Sequence, residues 1–138
     1  MSAFARDDQG RLCAGGMPLG DIAASHGSPL YVYSGDGIRD DYRRFAAAVA
    51  PVDGSVHFAL KANSALGVIG LLARHGAGAD IVSGGEMARA LAAGIPAEKI
   101  VFSGVGKSAE EIGAALDAGI GQVNACLLYT SDAADDCE

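Results

Sequence analysis

The sequence contains no tryptophan, only three cysteines and only four prolines. The cysteines say most about class. Cys126 and Cys137 lie in the last thirteen residues, which leaves Cys13 as the sole cysteine of the remainder. There is no C-x-x-C and no Cys/His cluster, so neither a disulfide framework nor a zinc site is expected. No apolar run is long enough to span a bilayer, and MSAFARDDQG at the start lacks the apolar stretch of a secretory signal. Positive charge is scarce too. Ten basic residues stand against seventeen acidic ones, and the net charge of -7 argues against a nucleic-acid or anionic-membrane partner. Asp132, Asp135, Asp136 and Glu138 supply four of those seven surplus charges, with no base among residues 126–138. A cytoplasmic protein is the expectation.

What the sequence has instead is apolar residues and glycine. Half of its 138 residues are hydrophobic, enough for a core, and the composition is not that of a disordered chain. The glycines punctuate a repeating unit. A strand over 56–60 is followed by a helix over 65–75 and Gly76. A strand over 79–83 is followed by a helix over 85–93 and Gly94. A strand over 99–103 is followed by a helix over 108–118 and Gly119, and a fourth strand starts near Gln122. Each glycine suits the left-handed position that ends a helix. Ser108-Ala109-Glu110-Glu111 has the form of a capping box. Such alternation predicts a parallel sheet with right-handed crossovers. Open doubly wound sheets and closed barrels share this signature. The tight spacing, roughly 22 residues from strand to strand, favours the barrel.

Upstream, Pro29-Leu30-Tyr31-Val32-Tyr33 reads as a strand between turn residues. Residues 38–50 read as a helix, with Ile38, Tyr42, Phe45 and Val49 on one side and Pro51 as its stop. Residues 1–28 form a lead-in rich in Gly, Asp and Ser. Its apolar patch at Met17, Leu19 and Ile22 adjoins a brief helical turn over 21–26 that ends at Gly27.

The chemistry centres on Lys61. It ends the run Val56-His57-Phe58-Ala59-Leu60, where a strand gives way to a loop. Parallel α/β proteins bind ligands at the carboxyl ends of their strands. A lysine there is either a solvated surface charge or, against apolar neighbours, an amine that loses its proton and attacks an aldehyde. A competing motif, Ser103-Gly104-Val105-Gly106-Lys107-Ser108, follows a strand and opens a helix as a phosphate-binding loop does. That loop needs a glycine five residues before Gly106, and Val101 stands there. An NTP-binding module is therefore disfavoured. His57 reads as a packed or edge histidine, and His26 and His75 as helix-end residues.

Three segments carry a resemblance. Phe58-Ala59-Leu60-Lys61-Ala62-Asn63 resembles the lysine segment of the alanine-racemase-like barrel decarboxylases that use pyridoxal phosphate. Asp80-Ile81-Val82-Ser83-Gly84-Gly85-Glu86 follows at that family's distance. Ile100-Val101-Phe102-Ser103-Gly104-Val105-Gly106-Lys107 is similar to its third strand and loop. The likeness runs from about Arg11 to Asn124 and is strongest to the diaminopimelate branch. It departs from the racemases, because Ser64-Ala65-Leu66-Gly67 lacks their aromatic and Gly-His pattern.

The resemblance implies an α/β fold, the N-terminal βα units of a partial (β/α)8 TIM-like barrel. A complete barrel takes about 250 residues, so the chain reads as the front part of a longer enzyme. Residues 1–28 are then a lead-in and 29–125 the barrel part. Residues 126–138 (CLLYTSDAADDCE) are a foreign or divergent tail. The implied cofactor is pyridoxal 5'-phosphate, held by Lys61 as the catalytic amine, with Asp80 close to both. Ser83 and Ser103 end adjacent strands as candidate cofactor donors, or they satisfy loop backbone. Asp80 equally suits a strand-end cap, and Glu86 is a candidate for the active-site rim. The implied reaction is decarboxylation of an amino-acid substrate, meso-diaminopimelate to L-lysine, by a homodimer with a shared site. Ornithine, arginine and carboxynorspermidine decarboxylases, and a non-catalytic pyridoxal-phosphate barrel, remain alternatives. The phosphate-binding loops of that family lie outside these 138 residues, so this piece alone is expected to be inactive.

Overall fold

The structure, a computed structural model, describes residues 3–125. The chain divides into two compact units, Met1–Phe45 and Ala46–Glu138.

The first unit opens with an antiparallel sheet of β1 (Phe4–Arg6), β2 (Leu12–Ala14) and β3 (Met17–Pro18), in that order. The connection from β1 to β2 is fixed locally. The Asp7 carboxylate accepts from the Gln9 and Arg11 backbone N–H groups and from the Arg11 side chain at 2.8 Å. Helix α1 (Leu19–His26) ends at Gly27 with φ 86°. Sequence patterning gave only the turn over 21–26. The structure lengthens it by two residues and adds the sheet, whose strands are too short for an alternation to register.

Residues 29–33, predicted as a strand, belong to no sheet among the described residues. Their alternation is present: Leu30 and Val32 are half-buried, while Tyr31 and Tyr33 are exposed. A strand, however, is defined by its ladder partner, which local pattern does not supply. Helix α2 (Gly35–Val49) follows, and a 3-10 turn, Ala50–Val52, ends it around Pro51.

The second unit is the repeating one. Strand β4 (His57–Ala59), helix α3 (Leu66–Arg74), strand β5 (Gly78–Ile81), helix α4 (Gly84–Ala92), strand β6 (Ile100–Phe102), helix α5 (Ala109–Asp117) and strand β7 (Gln122–Val123) alternate without a break. The strands form one parallel sheet in the order β4-β5-β6-β7. Spatial order follows chain order, with no reversal of winding. That is how a barrel winds, whereas a doubly wound sheet reverses at a switch point.

Paired residues of a parallel sheet share a face. One face carries Ala79, Ile81, Ile100 and Phe102, all fully buried, and packs with Ile69, Met87, Ala90 and Ala115 of the helices. Burying each large side chain stabilises the unit by about 1.5–3 kcal/mol. The other face carries a level row, Ala59, Asp80, Val101 and Gln122. The three helix-ending glycines take φ of 94°, 90° and 69° at Gly76, Gly94 and Gly119, as their sequence positions require. Strand β5 ends at Ile81, so Val82 and Ser83 fall in the loop.

Candidate active site

The carboxyl ends of β4, β5, β6 and β7 lie side by side, and the candidate residues follow from that register. Beyond Ala59 the chain tightens into a 3-10 turn, Leu60–Ala62. Leu60 is fully buried and Lys61 exposed. The lysine therefore leaves the strand end on a turn anchored by its buried neighbour. After it, the Asn63 side chain accepts from Ala65 N–H, and Arg89 of α4 donates to the Ser64 carbonyl at 3.2 Å.

The three lysines differ in their commitments. Lys99 donates to the Gly76 carbonyl at 3.2 Å. Lys107 is buried, at 4% exposure. Its ammonium donates to the carbonyls of Gly104 and of Asn124, the latter at 2.7 Å, and lies 5.5 Å from the centre of the Phe102 ring. Lys61 alone has no hydrogen-bond or ion-pair partner among the described residues.

Asp80 is level with Ala59 and Val101 on the face away from the helices. Its Oδ1 is buried and accepts no hydrogen bond among the described residues. A buried acceptor without a donor is costly, and the cost is removed when a ligand brings one. That orphaned oxygen and the uncommitted Lys61 amine fit the amine-binding end of pyridoxal phosphate. His57, two residues before Ala59 on the same face, is half-buried and hydrogen-bonds Ser55 Oγ through Nε2 at 3.0 Å. Its Nδ1 is buried and unpartnered, so it is packed as expected but not fully satisfied.

The other candidates are committed to the loops. Ser83 caps α4, its hydroxyl accepting from Glu86 N–H at 3.3 Å. Glu86 turns its carboxylate back to the Val82 N–H at 2.8 Å. Ser103 leaves β6 and accepts from the Asn124 side chain at 3.1 Å. Ser83 thus receives a backbone N–H, whereas Ser103 receives a side-chain one, and each hydroxyl keeps a proton to donate.

Three residues that sequence reasoning did not assign to the site act on these loops: Lys107, Asn124 and Glu111. Glu111 closes the expected capping box with Ser108. Its carboxylate also accepts from the Gly84 N–H of α4 at 2.8 Å, besides the Ser108 N–H at 3.1 Å. These two donors favour the charged form and hold the carboxyl below the ordinary glutamate value. The box was legible. The reach to Gly84, 27 residues away, was not.

Comparison with known proteins gives concordant results. The family model for the pyridoxal-dependent decarboxylases, pyridoxal binding domain, matches residues 36–128. A diaminopimelate decarboxylase of Pseudomonas fluorescens is 55% identical over 111 residues, covering 80% of this chain and 27% of that protein. One of Zymomonas mobilis is 50% identical over 121 residues, covering 83% of this chain and 28% of its own length. Among solved structures, the diaminopimelate decarboxylase of M. jannaschii in complex with L-lysine superposes with a TM-score of 0.84 at 36% identity. That match covers 90% of this chain and 30% of the other. The chain thus spans less than a third of the relatives it matches.

Proposed function

The chain belongs to the pyridoxal-dependent decarboxylases, carrying part of their pyridoxal binding domain, and on that premise we propose that its full-length enzyme decarboxylates meso-diaminopimelate to L-lysine. The observation that carries this reading is Lys61. It is an uncommitted amine at a strand end, inside the Phe58-Ala59-Leu60-Lys61-Ala62-Asn63 segment.

When bound, pyridoxal phosphate supplies an electron sink for the pair left behind as a carboxylate departs from an amine-bearing carbon. The residues of this chain do the holding. Lys61 Nζ, once it has given up a proton, would hold the cofactor at its aldehyde end. Asp80 Oδ1, which has no donor among the described residues, would accept from a donor that the cofactor brings, and its negative charge would favour a proton held there. Ser83 and Ser103 offer hydroxyl protons at the ends of adjacent strands, and Glu86 keeps the β5–α4 loop in place at the rim. The family resemblance extends the reading to a cytoplasmic homodimer with a site shared between subunits.

Identity to the diaminopimelate enzymes at 50% and 55% of the aligned positions supports that substrate over ornithine or arginine. A site that pairs a distal carboxylate rejects a substrate lacking one, because its buried partner is left unpaired. Carbon dioxide release by the full-length enzyme from meso-diaminopimelate, and not from ornithine, is expected. Release from ornithine alone would overturn the substrate assignment.

A further inference from the structure

Three loops at the carboxyl edge of the sheet carry Ser83, Ser103 and Asn124, and segment 104–111 touches all of them. Lys107 lies inside this segment with its ammonium out of water. A buried charge is tolerated only when its hydrogen-bonding capacity is met. Here the carbonyls of Gly104 and Asn124 and the face of Phe102 meet it. No carboxylate pairs with it among the described residues. Its charge therefore goes into holding the β6–α5 loop against the end of β7. Four residues on, Glu111 does the same toward the other side, joining Gly84, the first residue of α4, to Ser108. The loops are also in steric contact. A Cβ on Gly104 would lie 2.3 Å from the Val82 carbonyl oxygen, so only glycine permits this approach. The side-chain bond from Asn124 Nδ2 to Ser103 Oγ completes the link.

We propose that Lys107 and Glu111 are positioning residues, the two arms of a clasp that fixes the cofactor-facing loops before pyridoxal phosphate arrives. They act through Gly84, Gly104 and Asn124, and so through Ser83 and Ser103. This inference rests on the cofactor reading above. A preordered rim binds more tightly because less ordering remains to be done on binding.

The test uses the full-length enzyme, stripped of cofactor, with Lys107→Met and Glu111→Gln made separately. Glu111→Gln keeps shape and exposure, so it remains informative if Lys107→Met does not fold. Two quantities are read: the dissociation constant of pyridoxal phosphate and amide hydrogen exchange in the cofactor-free protein. Each variant that folds should bind pyridoxal phosphate about tenfold more weakly, the loss expected for one hydrogen bond to a charged group. Exchange should rise at residues 82–86 in Glu111→Gln, and at 103–105 and 124 in Lys107→Met. Faster exchange with unchanged cofactor affinity would make the contacts merely structural and overturn the proposal. So would unchanged exchange. If the unmutated enzyme fails to take up pyridoxal phosphate, the cofactor reading itself falls. That failure differs from one confined to the variants.

Discussion

At the scale of single residues, the site is a matter of which groups are already spoken for. Lys99 and Lys107 donate to backbone carbonyls, whereas Lys61 has no such partner among the described residues. Asp80 stands out for the opposite reason, as a buried oxygen with no donor among the described residues. Removing its charge while keeping its shape, in Asp80→Asn, should weaken pyridoxal phosphate binding by the full-length enzyme about tenfold or more. The thermal stability of the cofactor-free form should be unchanged or slightly higher, since a neutral amide costs less to bury than a carboxylate. Cofactor titration by absorbance and a melting curve together check this. Unaltered affinity would return Asp80 to the role of a strand-end residue. The positions of Lys61 and Asp80 beside strand ends were legible in the sequence, because each stands where a strand pattern gives way to loop residues. The commitments of Ser83, Ser103 and Glu86 were less so, because hydrogen-bond partners are a property of the folded loop.

At the scale of elements, local chemistry predicted local structure well. The glycine after each helix, the Ser108–Glu111 capping box and the 3.6-residue apolar spacing each act within a few residues, and all three βα units appear where they point. Ladder membership is not local, and residues 29–33 show the consequence. The capping box also yields an acid-sensitivity prediction. The carboxyl of Glu111 is held below its ordinary value by the N–H groups of Gly84 and Ser108. A depressed carboxylate stabilises the fold fully above its unfolded pKa, and this contribution is lost as pH falls through the folded value. In the full-length enzyme, Glu111→Gln should therefore be less stable than the parent at neutral pH. The difference should shrink on acidification below the ordinary glutamate range, as melting temperatures across pH would record. A gap that stays constant at low pH would contradict this role. Gly104 gives a steric test. Gly104→Ala puts a methyl group against the Val82 carbonyl and should cost about 1–3 kcal/mol in denaturant unfolding. A smaller loss would mean that the two loops separate easily.

At the scale of the whole molecule, the parallel sheet winds as the first part of a barrel does, and the family and structural matches agree. Among the described residues, β4 and β7 each have a neighbour on one side only. The row Ala59, Asp80, Val101 and Gln122 faces away from the helices. A sheet of this kind is stable when both faces are covered and its edges are closed. Residues 1–138 expressed alone should accordingly unfold without a cooperative transition, as calorimetry or denaturant titration would show. A sharp two-state transition from a monomer would refute that expectation. Barrel winding was legible from the even strand spacing. The division at residues 45 and 46 was not, since it falls inside α2, where the sequence gives no break. The claim on which everything else depends is that Lys61 holds the cofactor. Borohydride reduction of the full-length holoenzyme, followed by peptide mapping, tests it most directly. The pyridoxyl group is predicted on Lys61, and its recovery on Lys99 or Lys107 instead would contradict the account.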